Sequence, residues 1–84
     1  MNASDTLDRK KHRKDSAKKA VALAMRSRWD EAVAVNRVIT QDFPDDLEAY
    51  NRLGKALSEL GRNGEAREAF QRALGISPYN GIAK

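Results

Sequence analysis

The residues able to do chemistry fall into two groups. The first is Arg9-Lys10-Lys11-His12-Arg13-Lys14, an unbroken basic or potentially basic block. Such a block either holds an anionic partner through charge or stands as a solvated arm. No aromatic residue interleaves it, so it offers no platform for stacking bases. The second group is Asn51, Arg52 and Lys55, whose helical spacing puts them close together on one helix surface. There they can hydrogen-bond a peptide backbone or an acidic side chain, or form a solvated face. Catalysis is poorly served. His12 is the only histidine and cysteine is absent, so there is no thiolate, no disulfide and no histidine-rich metal set. Asp45-Asp46 reads as a helix cap rather than an acid–base pair. The expectation is a non-enzyme that needs no cofactor and no metal.

The elements that position the second group follow from periodicity. Pro44-Asp45-Asp46-Leu47-Glu48 is a helix start, with Asp45 accepting from the Glu48 N–H and Glu48 reaching back to the cap. Ala49, Tyr50, Leu53, Ala56, Leu57 and Leu60 then form one apolar stripe. Gly61 ends that helix, since glycine tolerates the left-handed conformation just beyond a helix end. Asn63 is positioned to cap a second helix whose stripe is Ala66, Ala69, Phe70, Ala73 and Leu74. Pro78 stops it, because the residue before a proline avoids helical angles. Small residues at Gly54 and Ala66 suit close helix approach, with Phe70 filling the space.

Tyr50, Leu53 and Gly54, followed by Ala66, Phe70, Ala73 and a terminal Pro78, resemble the tetratricopeptide repeat of about 34 residues. The resemblance implies an all-α fold, a right-handed stack of two antiparallel helical hairpins with four main helices. One repeat length earlier, Pro44 matches Pro78, Glu31 matches Glu65, Ala32 matches Ala66, Arg28 matches Arg62, Leu23 matches Leu57 and Ala20 matches Gly54. That register gives a basic arm over 1–12, repeats over 13–46 and 47–80, and the start of a further helix at 81–84. The first helix is expected over about Lys14–Arg26, either extended back through the basic block or capped at Asp15 or Ser16. The second is expected from Trp29-Asp30-Glu31, with its acids at the positive helix end.

Repeat one departs from the pattern. Ser16, Lys19 and Asn36 stand where the family has an aromatic, a leucine and a phenylalanine. A terminal repeat is expected to be atypical because one face meets solvent. Trp29 reads as core that fills the hairpin corner. Asn36 is either a satisfied polar group near the surface or the sign of a helix rotated toward Val35.

Tetratricopeptide stacks bind protein segments along a groove lined by the first helix of each repeat. Carried over by the resemblance, the groove positions include Lys14, Lys18, Val21 and Met25 in repeat one, and Asn51, Arg52 and Lys55 in repeat two. A carboxylate-clamping subset of the family has Lys and Asn where this chain has Ala17 and Val21, so that activity is not implied. Repeats normally end in a helix that hides the last apolar face, which leaves Phe70, Leu74, Ile76 and Tyr79 as a candidate self-association face. The expected partner is therefore a protein or peptide, with a homodimer through the last repeat as one form. The second choice is RNA or another anionic polymer bound through Arg9, Lys10, Lys11, Arg13 and Lys14.

Composition sets the outer limits. Apolar residues are 40% and charged residues 33% of 84, which suits a small helical domain rather than a disordered chain. Residues 1–28 hold nine Lys/Arg against three Asp, a net +6, while residues 29–84 hold seven against nine Asp/Glu, a net −2. The basic character belongs to one end. No apolar run reaches the ~20 residues of a membrane span, and the polar start lacks a secretory core. The default expectation is a cytoplasmic location without membrane contact.

Overall fold

A computed structural model describes the backbone of residues 3–77 and the side chains of residues 8–77. Four helices account for nearly all of it: α1 (Ala3–Met25), α2 (Trp29–Asp42), α3 (Leu47–Glu59) and α4 (Asn63–Ile76). No strand occurs among the described residues. Neighbouring helices in the chain pack on one another, and α1 also touches α3. The core is built from small and medium side chains: Ala32 and Val33 of α2, Leu53, Ala56 and Leu57 of α3, and Ala66 and Ala69 of α4. Leu23, Trp29 and Leu60 pack against it, which puts Trp29 at the core as expected.

The repeat is visible in the two sharp corners. At the end of α1 the Arg28 N–H donates to the Leu23 carbonyl (2.9 Å) and the Ser27 N–H to the Ala24 carbonyl (2.9 Å). At the end of α3 the Arg62 N–H donates to the Leu57 carbonyl (2.9 Å) and the Gly61 N–H to the Ser58 carbonyl (2.9 Å). Both are Schellman caps, in which a left-handed residue turns the chain back over the last carbonyls. Gly61 takes that conformation (φ 77°) and so does Ser27 (φ 57°). A side chain makes the left-handed region costly, so Ser27 carries strain that Gly61 does not. Ser27→Gly is therefore expected to stabilise the chain by about 1 kcal/mol, raising Tm by about 4–8 °C. A thermal melt with no rise would show that the Ser27 corner is unstrained.

These corners also correct the expected cap of α4. Arg62, not Asn63, is the N-cap, and it makes no side-chain cap hydrogen bond. The Schellman turn already fixes the helix start, and the Arg62 side chain instead reaches Glu65 (2.8 Å). Arg28 does the same with Glu31 (3.0 Å) at the start of α2. The cap of α3 moves by one residue as well. Asp46, rather than Asp45, accepts from the Ala49 N–H (3.0 Å), so Glu48 sits one place early for a capping box. A turn explains the shift: the Asp46 N–H donates to the Phe43 carbonyl (3.0 Å) around Pro44 and Asp45.

α1 starts well before Lys14, at Ala3, so Asp15 and Ser16 lie inside a helix and cap nothing. Phe43 explains part of this length. The guanidinium carbons of Arg9 and Arg13, one helical turn apart, each lie 5.0 Å from the centre of its ring. Arg9 also donates to the Asp42 carbonyl (3.3 Å). Cation–π contact thus ties the basic part of α1 to the α2–α3 turn. Pro78 and Tyr79 lie outside the described residues.

Candidate functional site

Two connected depressions run between α1 and the start of α3. One of about 490 Å³ is lined by Lys14, Ala17, Lys18, Val21, Ala22, Met25, Glu48 and Arg52. Next to it, toward the N-terminal part of α1, a second of about 560 Å³ is bounded by Lys10, Arg13 and Lys14 on one wall and by Asp45, Asp46 and Glu48 on the other. Helical spacing accounts for the lining: residues 14, 17, 18, 21 and 25 recur every three or four positions and so share one face of α1. That face changes character along its length, from lysine to exposed apolar surface. Met25 is 82% exposed, more than a residue of the core would be.

Five of the seven groove residues expected from the sequence therefore meet at one place: Lys14, Lys18, Val21, Met25 and Arg52. Lys55 does not join them. It pairs with Glu59 along α3 (2.9 Å) and stays exposed. Asn51 is half-buried and is absent from that lining.

Arg52 has a second attachment that sequence reasoning missed. Its Nε donates to Oδ1 of Asn36 (2.9 Å), whose Nδ2 in turn donates to the Ala32 carbonyl (2.9 Å). Asn36 is only 1% exposed, so it is a buried polar residue satisfied across the repeat boundary. The signal available in sequence was Asn36 itself, a polar residue where the family has an aromatic. Its partner lies far along the chain and no local pattern names it. Arg52 Nη2 is buried and has no hydrogen-bond partner. A buried guanidinium N–H without an acceptor is costly.

The charges divide into satisfied and free. Arg28, Arg37, Lys55 and Arg62 have carboxylate partners, and Arg9 and Arg13 lie on Phe43. Lys10, Lys14 and Lys18, one per turn along the groove side of α1, have none among the described residues.

Glu65 ties the repeats together, accepting from Arg62 on its own helix and from Arg37 on α2. The Arg62 hydrogen bond first, then that of Arg37, holds its carboxyl below the ordinary value of 4.5. A lowered folded-state value means that the stabilisation is present above the ordinary carboxyl range and is lost as pH falls through the folded value. Glu65→Gln should therefore melt below the parent chain at neutral pH. The two melts should converge as pH falls well below the ordinary carboxyl range. An equal gap at both pH values would remove Glu65 as the source.

No group of three or more metal-binding side chains occurs among the described residues. No helix among them is long and apolar enough to cross a membrane. No curated protein and no solved structure matches the chain. The tetratricopeptide repeat family matches residues 17–81, which span both corners, the Gly54–Phe70 pair and the Asn36–Arg52 link. The chain belongs to the tetratricopeptide repeat family, whose members are protein–protein interaction modules.

Proposed function

We propose that the chain binds a protein segment in the groove between α1 and α3, and that this segment carries acidic residues followed by apolar ones. The observation that supports it is the pairing, along one face of α1, of unpartnered Lys14 and Lys18 with exposed Val21 and Met25. Carboxylates of the ligand meet Lys14 and Lys18. Its apolar side chains cover Val21, Ala22 and Met25. Burying that apolar surface supplies most of the affinity, and the lysines set orientation and encounter rate.

The alternative, an anionic polymer held by the basic block, has less support. All five of its cations are exposed, but two of them, Arg9 and Arg13, lie against Phe43.

A labelled peptide with an Asp/Glu run followed by Leu and Phe tests the groove by fluorescence anisotropy. Lys14→Glu with Lys18→Glu is expected to weaken it about 10- to 100-fold, and added salt should weaken the parent complex. A Lys-for-Glu version of the peptide should not bind. Unchanged affinity in the double variant would move the site elsewhere. Equal binding of single-stranded RNA, lost with the same variants, would favour the polymer.

A further inference from the structure

Glu48 is a carboxylate inside a groove that takes acidic residues on the reading above. It lines both depressions, as Lys14 does from the other wall. The walls carry opposite signs, with Lys10, Lys14 and Lys18 on α1 and Asp45 and Glu48 at the start of α3. No ion pair joins them among the described residues. The usual partner for Glu48 on its own helix is Arg52, four residues on. Arg52 instead donates its Nε to Asn36 (2.9 Å), so the Asn36 link leaves Glu48 without a cation. An unbroken run of acids laid between the walls therefore meets lysines on one side and like charge on the other.

The spacing of the α1 lysines indicates which ligand suits both walls. Lys10, Lys14 and Lys18 succeed one another by about 6 Å along the helix axis. In an extended chain every second side chain points the same way, about 6.6 Å from the last. Acids at alternate positions of an extended ligand thus keep step with the lysines, and the residues between them face α3.

We infer that Glu48 selects a ligand in which acidic and basic residues alternate ahead of the apolar ones, with Asp45 continuing the same preference toward the N-terminal part of α1. This rests on the groove reading and makes it more specific: the lysines take the acids, and Glu48 takes the Arg or Lys between them. Its effect is on selectivity, since it acts against an all-acidic segment that net charge alone would favour.

Fluorescence anisotropy with two peptides of equal length tests it. Both end in the same Leu and Phe; one begins Glu-Glu-Glu-Glu and the other Glu-Arg-Glu-Arg. The alternating peptide should bind the parent chain about 10-fold more tightly, although the basic α1 attracts the all-acidic one more strongly at long range. Glu48→Gln should bring the two affinities together, and Glu48→Lys should reverse their order by about 10-fold. Glu48 also sits in the first turn of α3, where a cation weakens the helix. Comparing both peptides on the same variant cancels any such loss of folded chain. Glu68→Lys, the same change at an exposed carboxylate on α4, should leave the parent preference in place. Equal or tighter binding of the all-acidic peptide to the parent chain overturns the assignment, as does a preference that Glu48→Lys leaves unchanged. Either result spares the groove if Lys14→Glu with Lys18→Glu still weakens the peptides. Failure of both peptides to bind, or to respond to those two lysines, overturns the groove reading and this one together.

Discussion

Gly54→Leu is expected to cost about 3 kcal/mol, a large part of the roughly 4–13 kcal/mol that a chain of this size holds. The melting temperature should fall by about 12–24 °C. The cause is one contact. A Cβ at Gly54 would lie 2.6, 2.7 and 2.8 Å from three carbons of the Phe70 ring, closer than atoms pack. Leucine adds three more carbons in the same place, so either α4 lifts from α3 or the ring leaves its seat. Alanine separates packing from propensity. Alone, Gly54→Ala gains about 1 kcal/mol of helix propensity and loses more through the clash. In a Phe70→Ala background the clash is gone, so the same substitution should stabilise. That reversal of sign is the expected result of the double-mutant cycle. Equal effects in both backgrounds would mean that Gly54 and Phe70 do not meet.

Arg52→Ala should cost about 1–3 kcal/mol, even though Arg52 is partly exposed in a groove. Removing the guanidinium leaves Oδ1 of Asn36 buried without a donor. Asn36→Ala is expected to cost a similar amount, because the part-buried Nε of Arg52 then loses its acceptor beside a buried Nη2 that has none. Replacing both, as Asn36→Leu with Arg52→Met, removes donor and acceptor together and should come close to neutral. Urea denaturation of the four chains measures this, and additive losses would contradict the link. The consequence reaches binding experiments. Replacing Asn51, Arg52 and Lys55 together with alanine, an apparently clean groove test from the sequence alone, also unsettles the repeat boundary. Lys14 and Lys18, exposed and unpartnered, are the better probes.

What was legible in the sequence was what repeats or stays local. The α3 stripe, the Ala66–Ala69–Ala73 part of the α4 stripe, the left-handed Gly61 and the meeting of Gly54 with Phe70 follow from three- and four-residue spacing and from the size of the residues, whereas Phe70 and Leu74 of the expected α4 stripe are exposed. Errors arose where two neighbouring residues offer the same chemistry or where contact runs far along the chain. Asp45 and Asp46 are equally good caps in sequence, and only the Phe43–Asp46 turn selects the second. Asn63 is a better cap by type than Arg62, but the Schellman corner has already placed the helix start. Of the two starts of α1 left open by the sequence, extension back through the basic block is the one found, and there Arg9 and Arg13 reach Phe43, far along the chain. The candidate groove is legible in the same uneven way: the α1 residues assigned to it share a local face and line one depression, while Arg52 lines it too but has a link to Asn36 that no local pattern names.

An amide chemical-shift map by NMR, recorded as the acidic–apolar peptide is added, tests groove binding at the level of single residues. The groove predicts a connected set of shifts at Ala17, Lys18, Val21 and Met25 of α1 and at Glu48 and Arg52 of α3, with Phe70 and Leu74 unmoved. Shifts confined to α4, or to the basic turns around Lys10 and Lys11 with the apolar half of α1 silent, would contradict it.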